Sequence, residues 1–132
     1  MKTRLAVVTA GALLMLASVP AIAHHSFAAE FDASKPVKLT GTVTKIEWMN
    51  PHAYFYIDVK DESGKVTNWG MEMGSPNGLM RQGWSRNSLK VGDVVTVEGS
   101  RAKDGSNTAN ARAVSLASGQ RLFAASSQGQ GS

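Results

Sequence analysis

The chain has 132 residues, with 14 Lys and Arg against 10 Asp and Glu, a formal net charge of +4 and no cysteine. This length suits one small domain rather than two, and the lack of cysteine excludes disulfides, thiolate metal sites and a cysteine nucleophile. Lys2 and Arg4 fall in a predicted signal peptide, and the remaining net charge of +2, twelve basic against ten acidic residues, is too weak to indicate nucleic acid or an anionic membrane as a partner.

Residues 1–23 have the pattern of a secretion signal. The basic start is followed by an apolar stretch over 5–19, and Ala21 and Ala23 are the small residues that signal peptidase requires. The apolar stretch is short for a membrane span, which needs about 20 residues. We therefore expect a periplasmic or secreted bacterial protein that is cleaved after Ala23 and has no membrane association after cleavage.

The mature chain is expected to begin with a leader over residues 24–36, which shows no sustained hydrophobic period. A first strand is predicted from Val37 to Trp48, and its alternation changes phase between Val43 and Ile46, as a β-bulge would cause. Turn signals then delimit further strand-like segments. These cover residues 53–59, 65–73, 94–100, 110–116 and 121–123.

A short helix is predicted between the third and fourth strands. Ser75 is a suitable N-cap, Pro76 suits the first helical position, and Gly83 is placed to end the helix. This order predicts an all-β fold, a five-stranded OB-fold-like Greek-key barrel with one short helix between strands 3 and 4. The barrel domain should cover residues 37–123, and the polar tail 124–132 should be disordered because it has little to bury.

Several short runs resemble one family of small secreted bacterial proteins of unknown function. The runs are His24-His25-Ser26-Phe27, Leu39-Thr40-Gly41-Thr42-Val43, Glu47-Trp48-Met49-Asn50-Pro51-His52, Gly74-Ser75-Pro76-Asn77, Gly83-Trp84 and Leu89-Lys90-Val91-Gly92-Asp93. The resemblance covers essentially the whole mature chain. It implies an exported protein with a β-barrel-like fold, and it supplies no catalytic residues.

A second, local resemblance is to the periplasmic copper-efflux metallochaperone of OB-fold type. The run Asn68-Trp69-Gly70-Met71-Glu72-Met73, together with His52, is similar to the methionines, histidine and capping tryptophan that hold Cu(I) in that family. The resemblance implies a Cu(I) site at Trp69, Met71, Met73 and His52. The spacing differs by one residue between Trp69 and Met71, which in a strand changes the face of the sheet.

The residue types at the predicted mature terminus suggest a different copper site. An N-terminal His24 offers both its α-amine and its imidazole, and one further imidazole completes a three-nitrogen histidine brace. Nitrogen ligands in a planar arrangement suit Cu(II). His52 is the expected third ligand because it is the one histidine outside the adjacent pair. His25 is a less suitable candidate, since it directly follows His24.

The register of the second and third strands decides what Trp69, Met71 and Met73 do. If Gly64 adopts the left-handed conformation in a three-residue loop, the apolar side chains pair: Ile57 with Trp69, Phe55 with Met71 and Ala53 with Met73. A slip by one residue instead assembles a soft-metal site: Tyr56 with Trp69, Tyr54 with Met71 and His52 with Met73. Burial stabilises each large apolar side chain by roughly 1.5–3 kcal/mol, so packing should select the first register.

In that register Tyr54, Tyr56 and Asp58 point outward, on the face that OB-folds use for ligands. This predicts an alternative function, a metal-independent module that binds a protein, a glycan or a small molecule. No acid-base pair or nucleophile is recognisable. The sequence therefore predicts a monomeric, exported, non-enzymatic binding protein, with copper as its possible cofactor and an unidentified protein or small molecule as its partner.

Overall fold

The computed structural model describes residues 27–124, which form an all-β fold with one short helix between the third and fourth strands. The elements in chain order are α1 (Phe27–Glu30), β1 (Phe31–Glu47), β2 (Tyr54–Lys60), β3 (Val66–Glu72), α2 (Pro76–Arg81), β4 (Val94–Ala102), β5 (Thr108–Leu116) and β6 (Arg121–Phe123). The predicted fold class is confirmed. The predicted signal peptide, residues 1–23, lies outside the described residues, as does the tail beyond Ala124.

Six strands form one sheet in the order β3-β2-β1-β4-β5-β6, and an additional pairing of β3 with β5 closes five of them into a ring. Neighbours in the sheet are antiparallel, whereas β3 and β5 are parallel. The short β6 extends the sheet beyond the ring. The more specific assignment as an OB-fold stays a prediction.

The first strand is longer than predicted. β1 begins at Phe31 rather than Val37, because Phe31 pairs with Ala102 and Pro36 pairs with Ser100 on β4. Phe31 is buried. Much of the predicted leader is therefore part of the sheet, which its irregular hydrophobic pattern did not indicate. The predicted bulge is confirmed by a shift of register in the β1–β2 pairing between Val43 and Lys45.

The hairpin of β2 and β3 has the register that packing was expected to select. Phe55 lies opposite Met71, and Ile57 lies opposite Trp69. Gly64 has φ of 85°, as the predicted loop requires. These four side chains belong to a core that also includes Val43, Ala53, Met73, Leu79, Trp84, Leu89, Val95, Val97, Ala109, Ala111, Val114, Leu122 and Ala124.

The helix α2 begins after its predicted N-cap, Ser75, and packs against this core. The Ser75 hydroxyl accepts a hydrogen bond from the Gly78 N–H at 3.2 Å, and Leu79 is buried. Beyond the helix, the Trp84 indole N–H donates to the Phe123 carbonyl at 2.7 Å. Ala124 differs from the predicted tail: it is buried, and its N–H donates to the Arg112 carbonyl at 2.9 Å.

Candidate metal-binding site

His52 lies in the short connection between β1 and β2, immediately before the hairpin. Two backbone hydrogen bonds fix its neighbour Ala53 against the end of β3. The Ala53 N–H donates to the Gly74 carbonyl at 3.0 Å, and the Met73 N–H donates to the Ala53 carbonyl at 2.9 Å. The His52 side chain therefore extends from a position next to Glu72, the last residue of β3.

The His52 imidazole and the Glu72 carboxylate form a close, largely buried pair. Nδ1 of His52 is 2.7 Å from Oε1 of Glu72, and the exposed fractions of the two side chains are 23% and 7%. When the Glu72 carboxyl is ionised it only accepts hydrogen bonds, and Nδ1 of His52 then carries the hydrogen. In the neutral imidazole this leaves a lone pair on Nε2, the form that binds metals.

Burial and neighbouring charges shift the pKa values of Glu72 and Tyr54. Burial raises the pKa of the Glu72 carboxyl, and the nearby charge of His52 and a hydrogen bond from Tyr54 oppose that rise. Burial, together with the adjacent Glu72, raises the pKa of the Tyr54 hydroxyl to about 12. Tyr54 lies directly opposite Glu72 in the β2–β3 register. Because its pKa is raised, its hydroxyl stays neutral at neutral pH and can donate to the Glu72 side chain.

The first described helix approaches the same place. The negative charge of Glu30, at the end of α1, is close enough to raise the pKa values of both Tyr54 and Glu72. The Glu30 carbonyl also accepts a hydrogen bond from the Lys103 N–H at 2.9 Å, which anchors α1 on the sheet. The Glu30 end of α1 therefore lies in the neighbourhood of Tyr54 and Glu72.

His24 and His25 lie outside the described residues, so the structure does not place them. Within residues 27–124, no group of three or more His, Cys, Asp or Glu side chains could hold a metal ion. The His52–Glu72 pair with Glu30 nearby is thus not a complete site on its own.

The Trp69, Met71 and Met73 side chains are not available as ligands in this fold. Met71 and Met73 have no exposed surface, and Trp69 is 8% exposed. Each belongs to the core, on the opposite face of β3 from Glu72. The Arg101 guanidinium stacks 5.2 Å from the Trp69 ring centre. The alternative register that would assemble these side chains with His52 is not the one observed.

Tyr54, Tyr56 and Asp58 share one half-buried face of β2, as expected, and each already has partners within the protein. The Tyr56 hydroxyl donates to the Glu47 carboxylate at 3.4 Å, and the Lys45 ammonium lies 5.5 Å from the Tyr56 ring centre. Asp58 accepts a hydrogen bond from the Asn68 amide at 2.8 Å. Much of the polar surface on this face is thereby satisfied internally.

Sequence reasoning missed the role of Glu72. Alternation along β3 places Glu72 outward, and an outward glutamate is normally a solvated surface residue. The available signal was the register itself: a hairpin that pairs Phe55 with Met71 also places Tyr54 opposite Glu72, next to His52. Its burial depends on contacts beyond the hairpin, which the local pattern does not encode.

The fold and the site together define a small all-β protein with a histidine–carboxylate pair beside its N-terminal helix. The model of the family of unknown function DUF6152 matches residues 12–111, and the chain belongs to that family. A comparison with curated proteins finds no match, and the resemblance to the copper-efflux metallochaperone is not confirmed. Within the described part of the chain, no helix is long and apolar enough to cross a membrane.

Proposed function

We propose that the protein is an exported, non-catalytic copper-binding protein that serves metal handling in the periplasm. Cu(II) is held by the α-amine and imidazole of His24 and by the imidazole of His52. The signal-like pattern of residues 1–23 supports export. Cleavage after Ala23 would also free the α-amine of His24, which the copper site requires. The single observation that carries the proposal is the orientation of His52, whose Nδ1 lies 2.7 Å from Oε1 of Glu72 and whose other ring nitrogen, Nε2, is the one left to bind a metal.

The position of α1 supports the completion of this site by His24. His24 precedes Phe27 by three residues, and an extended chain spans about 3.3–3.6 Å per residue. With the helical rise across α1, the chain between His24 and Glu30 can span at most roughly 15 Å. The electrostatic effect of Glu30 on Tyr54 and Glu72 supports the proposal that His24 approaches His52.

The first test is native mass spectrometry of the protein recovered from the periplasm, with and without one equivalent of Cu(II). We expect a mass that starts at His24 and retains one copper against a weak chelator. His24→Ala and His52→Ala should each lose the copper, whereas His25→Ala should keep it. A mass that starts elsewhere, or a terminus at His24 that holds no copper, would contradict the proposal.

The competing class is a metal-independent interaction module that uses Tyr54, Tyr56 and Asp58. What supports it is that the three side chains share one face of β2. Tyr56→Ser removes the aromatic surface from that face without touching His52 or Glu72. If Tyr56→Ser loses a specific protein, glycan or small-molecule partner, while His24→Ala retains it, the interaction module replaces copper binding as the function.

A further inference from the structure

We infer that Asn77 is a site of spontaneous deamidation, and that the opening of α2, which the Ser75 hydroxyl holds closed, controls the rate of this modification. The inference goes beyond the proposed function and does not depend on it, because α2 carries none of the proposed copper ligands. It rests on three neighbouring residues of the described chain: Ser75, Asn77 and Gly78.

The sequence places the two reacting groups in one dipeptide, because Asn77-Gly78 is the single Asn-Gly pair of the chain. The backbone nitrogen of Gly78, once it has lost its proton to hydroxide, attacks the side-chain amide carbon of Asn77. A new C–N bond forms, and the amide nitrogen leaves as ammonia. Water then opens the resulting succinimide at either of its two carbonyls, which gives aspartate or isoaspartate. Asn77 is exposed, and glycine has no Cβ to obstruct the attack by its nitrogen.

The fold opposes this reaction at the attacking nitrogen. The Gly78 N–H donates to the Ser75 hydroxyl at 3.2 Å, so removal of its proton also costs this hydrogen bond. The Leu79 N–H donates to the Ser75 carbonyl at 2.9 Å and keeps the turn helical. A helical residue has ψ of about −42°, and closure of the succinimide ring requires Asn77 to leave that value. The first turn of α2 must therefore open before Asn77 reacts.

Packing on the core opposes the same opening, and the product makes it permanent. Leu79 of α2 is buried, and beyond the helix the Trp84 indole N–H donates to the Phe123 carbonyl at 2.7 Å. Isoaspartate adds one methylene to the backbone between Ser75 and Gly78. The N–H that bonded the Ser75 hydroxyl is then displaced, so the modified chain loses the N-cap of α2.

The test is incubation of the purified protein in mildly alkaline buffer, with peptide mass spectrometry to measure conversion of Asn77. We expect conversion in the folded protein to be much slower than in the same protein unfolded in urea. Ser75→Ala should speed the reaction of the folded protein about fivefold, the change in the opening equilibrium that loss of a typical N-cap causes. Ser75→Thr keeps a capping hydroxyl and should stay near the wild-type rate.

Ser63→Ala is the matched control, because it removes a serine hydroxyl that donates to Asp61 in the β2–β3 turn, outside α2. We expect it to leave the rate unchanged. Equal rates in folded and unfolded wild-type protein would refute control by the fold, and this comparison needs no variant. A Ser75→Ala rate equal to that of the wild type would refute the role of the hydroxyl. An equal acceleration by Ser63→Ala would show that global unfolding, rather than opening of α2, exposes Asn77.

Discussion

At the scale of single residues, the outer and inner faces of β3 have opposite chemistry. Met71 and Met73 project into the core, whereas Glu72 between them meets His52 and Tyr54. Thioether sulfurs are soft ligands suited to Cu(I), but here no solvent reaches them. The His52 imidazole, by contrast, lies outside this core, and its side chain is 23% exposed.

The burial of the methionines gives a direct prediction. Met71→Leu and Met73→Leu are nearly volume-conserving changes, which usually cost less than about 1.5 kcal/mol of unfolding free energy. We expect both variants to fold and to keep wild-type copper affinity, measured by chelator competition. Loss of copper binding in a variant whose thermal unfolding is unchanged would show that the thioethers are ligands after all.

Gly41 is required by the close approach of β1 to β2. A Cβ atom at this position would overlap the backbone carbonyl oxygen of Asp58, which cannot move aside as a flexible side chain can. Gly41→Ala should therefore lower the unfolding free energy by about 1–3 kcal/mol, measured by urea denaturation. Gly70→Ala is the comparison, because its Cβ would lie 3.2 Å from a movable ring atom of Tyr56. An equal loss in both variants would argue against this steric explanation.

At the scale of elements, the β2–β3 hairpin brings Tyr54 opposite Glu72 and places Ala53, next to His52, against the end of β3. The turn of this hairpin stabilises the alignment of the two strands. The Asp61 carboxylate accepts hydrogen bonds from the Ser63 N–H and the Lys65 N–H, both at 2.9 Å, and from the Ser63 hydroxyl at 2.6 Å. These bonds lower the pKa of Asp61 from its ordinary value of 3.8. The folded state thus prefers the ionised carboxylate.

This preference makes the contribution of Asp61 depend on pH. A lowered folded-state pKa gives stability that is present above pH 3.8 and is lost as the pH falls through the lower folded-state value. Asp61→Ala should therefore lower the Tm at pH 7, and the difference from wild type should shrink toward about pH 2. Glu62→Ala, in the same exposed turn, is the control. A Tm difference that stays constant with pH would exclude an electrostatic origin.

At the scale of the whole molecule, the parallel pairing of β3 with β5 closes the ring and fixes the end of β3 that carries Glu72. Glu72 lies beside Asn110 in this pairing, across a separation of 38 residues. The pairing of Phe31 with Ala102 fixes the start of β1, which directly follows Glu30 at the end of α1. The candidate site therefore brings together the end of α1, the connection before β2 that carries His52, and the end of β3 that carries Glu72.

A metal that bridges the terminus to the ring should stabilise the whole fold. A ligand that binds only the folded state at about 100 times its Kd adds about 2.7 kcal/mol, which raises the Tm of a domain of this size by on the order of 10 °C. We expect this rise with Cu(II) for protein that starts at His24. Protein whose His24 α-amine is acetylated lacks the free amine and should show little change. Similar shifts for both forms would rule out a role for the terminus.

The sequence by itself determined the features that depend on neighbours along the chain. Alternation identified the strands, Gly64 and Gly83 marked a turn and a helix end, and Ser75 marked the helix start. The bulge after Val43 was also predictable, because a change of phase within one strand has a local cause.

The tertiary structure decided the features that depend on distant partners. Phe31 belongs to β1 because it pairs with Ala102 on β4, and Ala124, just beyond β6, is buried and donates to the Arg112 carbonyl, although the pattern of neither segment indicates this. The same holds for Glu72, which alternation assigns to the surface and which the fold buries against His52. Periodicity records which face a residue takes, whereas burial and pairing depend on what the rest of the chain places there.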